Sequence, residues 1–258
     1  MKTRTGFLLS FIIVFSLINT ASYSQIKIKK KAPKFILTAA LNYDYALSKA
    51  YGSVTDYSQI FDSSLGGAYF NGISYGMQQG GGLTVISKLA VGKKRKARFN
   101  ASVGYNLFYN TASGGELRTR WHVFNGSLGF EYNFAPKSKF QAYFGFEAVY
   151  TLMFGEWQTD LMLPDNTTTN VYIKFKPASK FGLALNSGME YRINKRTGLL
   201  LGYRAVWANI APKQNKLNPA EYEAYINDSK LNNGIEVGFS KQIVYLQVIG
   251  GVSFYLKR

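Results

Sequence analysis

The chain contains no cysteine. It therefore has no disulfide framework, no cysteine for a lipoprotein anchor and no thiolate for metal or redox chemistry. Histidine is almost absent too. His122 is the single one in 258 residues, which excludes multi-histidine metal centres and narrows acid–base chemistry. Proline numbers only 6, and 14 acidic residues face 31 lysines and arginines. Past residue 25 no apolar run reaches the roughly 18 to 20 residues of a spanning helix; the longest lies near "IVYLQVIGGVSFYL". No Lys-Ser/Thr follows Gly80, Gly81 and Gly82, so they form no phosphate loop. Their expected role is to relieve crowding or permit a bend. No catalytic residue, cofactor or metal is expected.

What the chain has in quantity is glycine and aromatics: 25 Gly, 19 Tyr and 19 Phe, with aromatics at 16% and a mean hydropathy of −0.11. That mixture suits twisted β-sheet with large side chains at an interface. The N-terminus reads "MKTRT", then the apolar "GFLLSFIIVFSLI", then "NTASYSQ". A basic start, a short apolar core and small residues at Ser22 and Ser24 are the order of a secretory signal peptide, with cleavage expected after Ser24. The expected organisation is a signal peptide over 1–24, a basic periplasmic lead-in over 25–33 and one domain over 34–258.

That domain is written in a period of two. In "RFNASVGYNLFYN", Phe99, Ala101, Val103, Tyr105, Leu107 and Tyr109 alternate with Arg98, Asn100, Ser102, Gly104, Asn106, Phe108 and Asn110. The pattern returns in "FILTAALNYDY", "SYGMQQGGGLTVISKLAV", "HVFNGSLGFEYNF", "FQAYFGFEAVYTLMF", "FGLALNSGMEYRI", "LLLGYRAVW" and "VYLQVIGGVSFYL". In the second of these, Tyr75, Met77, Leu83, Val85, Leu89 and Val91 fall in one oily phase. Segments of about 9 to 15 residues match tilted strands crossing a bilayer. The connections alternate: "GKKRKA", "APKSK" and "NKRTG" are tight, whereas 46–73, 111–119, 155–180 and 210–233 are long. Short turns on one side and long loops on the other are the layout of an outer-membrane up-and-down β-barrel. Eight strands are expected. Ten is the alternative, because "GIEVGFSKQ" reads either as a further short strand or as a hairpin within the last loop.

A soluble lipocalin-like barrel would point its oily residues inward. Here the opposite phase carries Arg98, Glu131, Glu147, Glu190, Arg192 and Arg204 among glycines and asparagines. Small side chains that make room for a few paired charges fit a lumen, so these six form the expected lumen charge network. On the oily face Phe99, Phe134, Phe140, Tyr191 and Phe254 are expected at the periplasmic interface. Tyr45, Tyr109, Tyr150 and Trp207 are expected at the outer one. His122 shares that oily phase; a lipid-cleaving His–Ser pair is the sharp reading, an interfacial belt histidine the plain one.

The formal charge is +17, a value that elsewhere suggests nucleic acid. The distribution argues against nucleic acid: Lys93, Lys94, Arg95, Lys96, Lys137, Lys139, Lys195 and Arg196 gather in the short turns. Asp56, Asp62, Glu116, Glu156, Asp160, Asp165, Glu221, Glu223 and Asp228 sit in the long loops. A basic periplasmic ring would attract anionic lipid headgroups, or dock an acidic periplasmic or outer-membrane protein.

With its signal peptide, lysine-rich "KIKKKAPK", amphipathic strands with Asn and Gly in the lumen phase and final "SFYLKR", the chain resembles the PorT-type outer-membrane β-barrel family. The resemblance lies in pattern over residues 35–258 and implies location and fold. Some members are tied to export across the outer membrane; no family catalytic residue exists to carry over. The expected function is a non-enzymatic barrel of the Gram-negative outer membrane with a structural or partner-binding role. A part in an export machine or a narrow channel is the alternative, and a lipid-modifying enzyme a remote one.

Overall fold

The computed structural model describes residues 32–52, 74–110, 118–162, 168–211 and 242–257, with the short pieces 223–224, 226, 231–232 and 235–236. The expected signal peptide and most of the lead-in lie outside these residues. So do Asp56, Asp62, Glu116, Asp165, Glu221 and Asp228, and the side chains of Asp160 and Glu223.

Eight long strands follow the period-two segments: β1 (Phe35–Leu47), β2 (Gln79–Val91), β3 (Ala97–Tyr109), β4 (Arg118–Asn133), β5 (Phe140–Met162), β6 (Thr168–Arg192), β7 (Thr197–Trp207) and β8 (Val244–Lys257). Each pairs antiparallel with its sequence neighbour, and β8 returns to pair with β1, so the sheet is a closed up-and-down barrel. Closure leaves these strands without a free edge along the wall, the condition for a sheet to lie in lipid. Of the questioned segment 234–242, the described residues Ile235–Glu236 pair with Leu231–Asn232, apart from the barrel sheet.

The register fixes the geometry. Followed from Phe35 through Leu89, Phe99, Phe130, Phe146, Leu185, Ala205 and Leu246, the row of paired residues comes back to β1 at Tyr45, ten positions beyond its start. With about 3.4 Å of rise per residue and about 4.8 Å between strands, that stagger over eight strands tilts them by about 40° and sets a radius of about 8 Å. Ten residues of such a strand climb about 26 Å, matching an outer-membrane apolar band of about 25 Å.

The two faces are inverted relative to a soluble protein. Leu41, Val103 and Phe181 are 67%, 64% and 68% exposed, while Lys88, Arg98 and Glu190 are at most 1% exposed. Side-chain alternation places them so, and a continuous exposed apolar wall of this kind belongs in hydrocarbon. No helix among the described residues could cross a membrane, so the wall is made by strands.

Two expectations need correction. The stretch 155–180 is not a loop: β5 and β6 run on as a paired hairpin from Gly155–Phe175 to Met162–Thr168. Pro177 lies where that ladder shifts register, and proline tolerates a bulge because it has no N–H to lose. Finally, Tyr75 and Met77 do not share the lipid-facing phase of Leu83 and Val85. Both are fully buried, because they precede β2, which begins at Gln79, and so do not share its alternation.

Candidate functional site

The lumen is layered. Nearest the short turns, Lys88 of β2 meets Glu190 Oε1 of β6 at 2.7 Å and Glu131 Oε2 of β4 at 2.9 Å. Arg98 of β3 places Nη1 2.8 Å from Glu131 Oε1 and 3.0 Å from Glu190 Oε1, and its Nη2 donates to Gln141 Oε1 at 2.7 Å. Two cations and two carboxylates thus cancel inside the wall. Strands β2 and β6 stand opposite each other in the ring, so the Lys88–Glu190 bridge spans the full lumen. The ammonium also sits 4.0 Å from the centre of the Tyr143 ring.

The next layer centres on Glu147 of β5. Its Oε2 accepts from Arg204 Nη2 at 2.6 Å and Ser127 Oγ at 2.8 Å; its Oε1 accepts from Asn100 Nδ2 at 2.8 Å and Asn186 Nδ2 at 2.6 Å. Arg204 continues to Gln247 Oε1 at 3.2 Å, and Gln247 Nε2 to Asp44 Oδ1 at 2.8 Å. Between the two charged layers a cavity of about 20 Å³ remains, room for about one water. Glycines open the space: a Cβ on Gly82 would strike the Tyr105 carbonyl and the Asn106 side chain.

Of the six expected lumen residues, five enter these clusters. Arg192 does not: it has no carboxylate partner among the described contacts. Its Nη2 donates to the Pro136 carbonyl at 3.4 Å, and its guanidinium lies 5.3 Å from the Tyr255 ring centre. It stands on the same inward face of β6 as Glu190, two residues nearer the turn end. Lys88 was missed, although it stands in the inward phase with Thr84 and Ile86.

The loop-end half of the lumen is apolar, which the polar-lumen expectation did not include. Phe108, Trp121, Trp157 and Tyr245 are at most 1% exposed and pack with Met153, Phe175, Tyr75 and Met77. Trp121 and Phe175 stack with centroids 4.8 Å apart, and Trp121 Nε1 donates to the Tyr75 carbonyl at 2.7 Å. The signal was present in the sequence: Phe108, Trp121, Val123 and Val149 are large apolar residues standing in the inward phase.

On the outside, the 40° tilt sorts the aromatics into two levels. Phe134, Phe140, Tyr191 and Phe254 fall within about 3 Å of one level at the turn end, and Tyr45, Tyr150 and Trp207 lie about 25 Å above it. Phe99 sits about 6 Å inside the lower level and Tyr109 about 6 Å beyond the upper one. The basic turns share the lower end with both strand termini. Lys93, Lys94, Lys137, Lys195 and Arg196 are exposed there. Lys96 and Lys139 lie 5.6 and 4.9 Å from the ring centres of Tyr132 and Tyr191. Arg95 departs from the ring, turning back so that its Nη1 donates to the Ala32 carbonyl.

His122 is on the outer wall, with Nδ1 2.8 Å from the phenolic Oη of Tyr105, and its ring stacked on Phe154 at 4.9 Å. Ser127, the serine of its own strand, points into the lumen and donates to Glu147. The two face opposite sides of the sheet and form no pair. Among the described residues no group of His, Asp and Glu is arranged to hold a metal ion.

No family model and no curated protein matches the chain. Among solved structures it is similar to Neisserial surface protein A, with 15% identity over 88% of this chain and 100% of that one, and a TM-score of 0.43. It is similar to the attachment invasion locus protein Ail of Yersinia pestis at 7% identity, 87% and 99% coverage and a TM-score of 0.43. For the outer membrane protein OprG from Pseudomonas aeruginosa the values are 12%, 88%, 98% and 0.43. Likeness this distant carries no argument about activity.

Proposed function

We propose that the chain is a non-enzymatic barrel of the Gram-negative outer membrane that works through its surfaces, in a structural or partner-binding role. The observation that supports this best is the filled lumen. Lys88 and Glu190 join across its diameter, and a packed apolar layer lies above them. An eight-stranded barrel is just wide enough for side chains to fill it, and no continuous water path suits such an interior. The inverted wall supports membrane residence, and the tight basic turns support a periplasmic position for the turn end, reached after signal-peptide-dependent export. At that end the exposed Lys93, Lys94, Lys137, Lys195 and Arg196 suit anionic headgroups of the inner leaflet, at about 1 kcal/mol per well-placed cation. The same ring would suit an acidic periplasmic partner, the route by which a PorT-like export role would arise. Nucleic acid is no part of this reading.

Recording in planar bilayers tests it. The purified barrel should insert without conductance steps; regular unitary steps from a homogeneous preparation would refute the filled-lumen reading and favour a narrow channel.

A further inference from the structure

The buried charges of the described residues do not balance. Lys88, Arg98, Lys180, Arg192 and Arg204 stand against Asp44, Glu131, Glu147 and Glu190. Lys88 and Arg98 share Glu131 and Glu190, and Arg204 holds Glu147. In the turn-end half three cations therefore meet two carboxylates, and Arg192 is the cation that reaches neither. A buried charge without a counter-charge is costly to the folded state.

Arg192 is 6% exposed against 1% for Arg98, which puts it at the mouth of the lumen. Its contacts are the face of the Tyr255 ring, with the centre at 5.3 Å, and the Pro136 carbonyl, 3.4 Å from Nη2. Neither carries a charge. The second is longer than the 2.6 to 3.2 Å of the side-chain bonds that Arg98 and Arg204 make. Its Nε makes no hydrogen bond. The Nε of Arg98 and of Arg204 is bare as well, but both of those spend their Nη groups on carboxylates. Nε and Nη2 lie along one edge of the planar guanidinium, the fork whose parallel donors match two oxygens of a phosphate.

The surroundings of this fork are cationic. Strands β5 and β6 are neighbours, so the turns over 134–139 and 193–196 border the same stretch of the mouth. The Arg192 N–H donates to the Lys139 carbonyl at 2.8 Å, which ties β6 to the first of them. Neither turn contains an acidic residue, and Lys137, Lys195 and Arg196 are exposed on them. An anion arriving from the turn end meets these charges first and the buried fork behind them.

We propose that the turn-end mouth binds one phosphate group, gripped by Nε and Nη2 of Arg192 in exchange for the Pro136 carbonyl, with Lys137 and Arg196 at the rim. Arg192 stands in the inward phase, so the source is a soluble phosphate or phosphoester and not a headgroup on the lipid-facing wall. The site goes beyond the surface role above and does not depend on it.

The test uses the full barrel in an uncharged maltoside detergent free of phosphate. Inorganic phosphate is titrated in at constant ionic strength, with chloride as the reference anion, by calorimetry and by the urea midpoint. One phosphate should bind per barrel, and the midpoint should rise as the site fills. R192Q should weaken binding by about tenfold or more, the loss of a charge-assisted pair of hydrogen bonds. In chloride alone R192Q should be at least as stable as the wild type, because it removes an uncompensated charge. R192K keeps the charge without the fork and should fall between the two. K137Q/R196Q should weaken binding by less than about tenfold, as exposed cations do. Absence of saturable binding, equal affinity in R192Q, or an R192Q barrel that is destabilised or unfolded in chloride would overturn the proposal. Displacement of the bound phosphate on transfer into phosphatidylglycerol vesicles would overturn the soluble source.

Discussion

Replacing Glu147 by glutamine probes the lumen most directly. The carboxylate is 4% exposed and takes four donors, from β3, β4, β6 and β7. Glutamine keeps the size but removes the charge, and it turns one acceptor oxygen into an amide donor. That NH2 must face either Arg204 and Ser127 or Asn100 and Asn186, all of which are donating. Arg204, itself 4% exposed, keeps only Gln247 Oε1 at 3.2 Å as a side-chain acceptor. Removing one partner of a buried pair costs about 3 to 5 kcal/mol. Urea unfolding in detergent micelles, followed by the fluorescence of Trp121, Trp157 and Trp207, reads this as a lowered midpoint. E147Q/R204M should recover more than half of the loss, since it removes the stranded charge as well. A shift below about 1 kcal/mol in the single variant, or strict additivity in the double one, would refute the reasoning.

The wall and the sidedness give further expectations. Arginine at Val103, within about 4 Å of the apolar band's centre, should destabilise the barrel in lipid by about 2 to 4 kcal/mol, against about 0 to 1 kcal/mol at Tyr109; equal penalties in vesicle unfolding would remove lipid as the wall's neighbour. Gly82→Val, pressed against the Tyr105 carbonyl, should cost about 1 to 3 kcal/mol, while Gly126→Val in open space stays within about 0.5 kcal/mol; the same unfolding assay compares them. With no native cysteine as background, a single cysteine at Glu221 should be labelled on intact cells and one at Lys94 should not. Labelling at Lys94 alone would reverse the barrel in its membrane.

The barrel was legible because alternation survives along whole strands: Phe99 to Tyr109 faces out and Arg98 to Asn106 faces in, as the letters suggest. The tight turns between strands were legible for the same reason, being a property of segments. What sequence could not supply was distance across the lumen. Lys88 and Glu190 are 102 residues apart, and only the ten-residue stagger brings them to one height. The apolar layer escaped because Phe108 and Trp121 look like lapses in a polar phase until their inward neighbours are known. The strand extension to Met162 was hidden because 155–180 reads as one long connection until the pairing across it is known.

The cross-lumen bridges also bear on how the chain enters a bilayer. Lys88 is neutralised from β4 and β6, Glu147 from β7, and Thr38 Oγ1 meets Ser253 Oγ at 2.8 Å across a separation of 215 residues. Glu190 and Ser253 come into place only when the sheet closes, and an open sheet would hold Lys88 against hydrocarbon without its cross-lumen partner, a cost several times thermal energy. The same side chains that lock the finished barrel therefore penalise its premature entry. Insertion and closure become a single cooperative event, with a rate set by how long the first strand waits for the last.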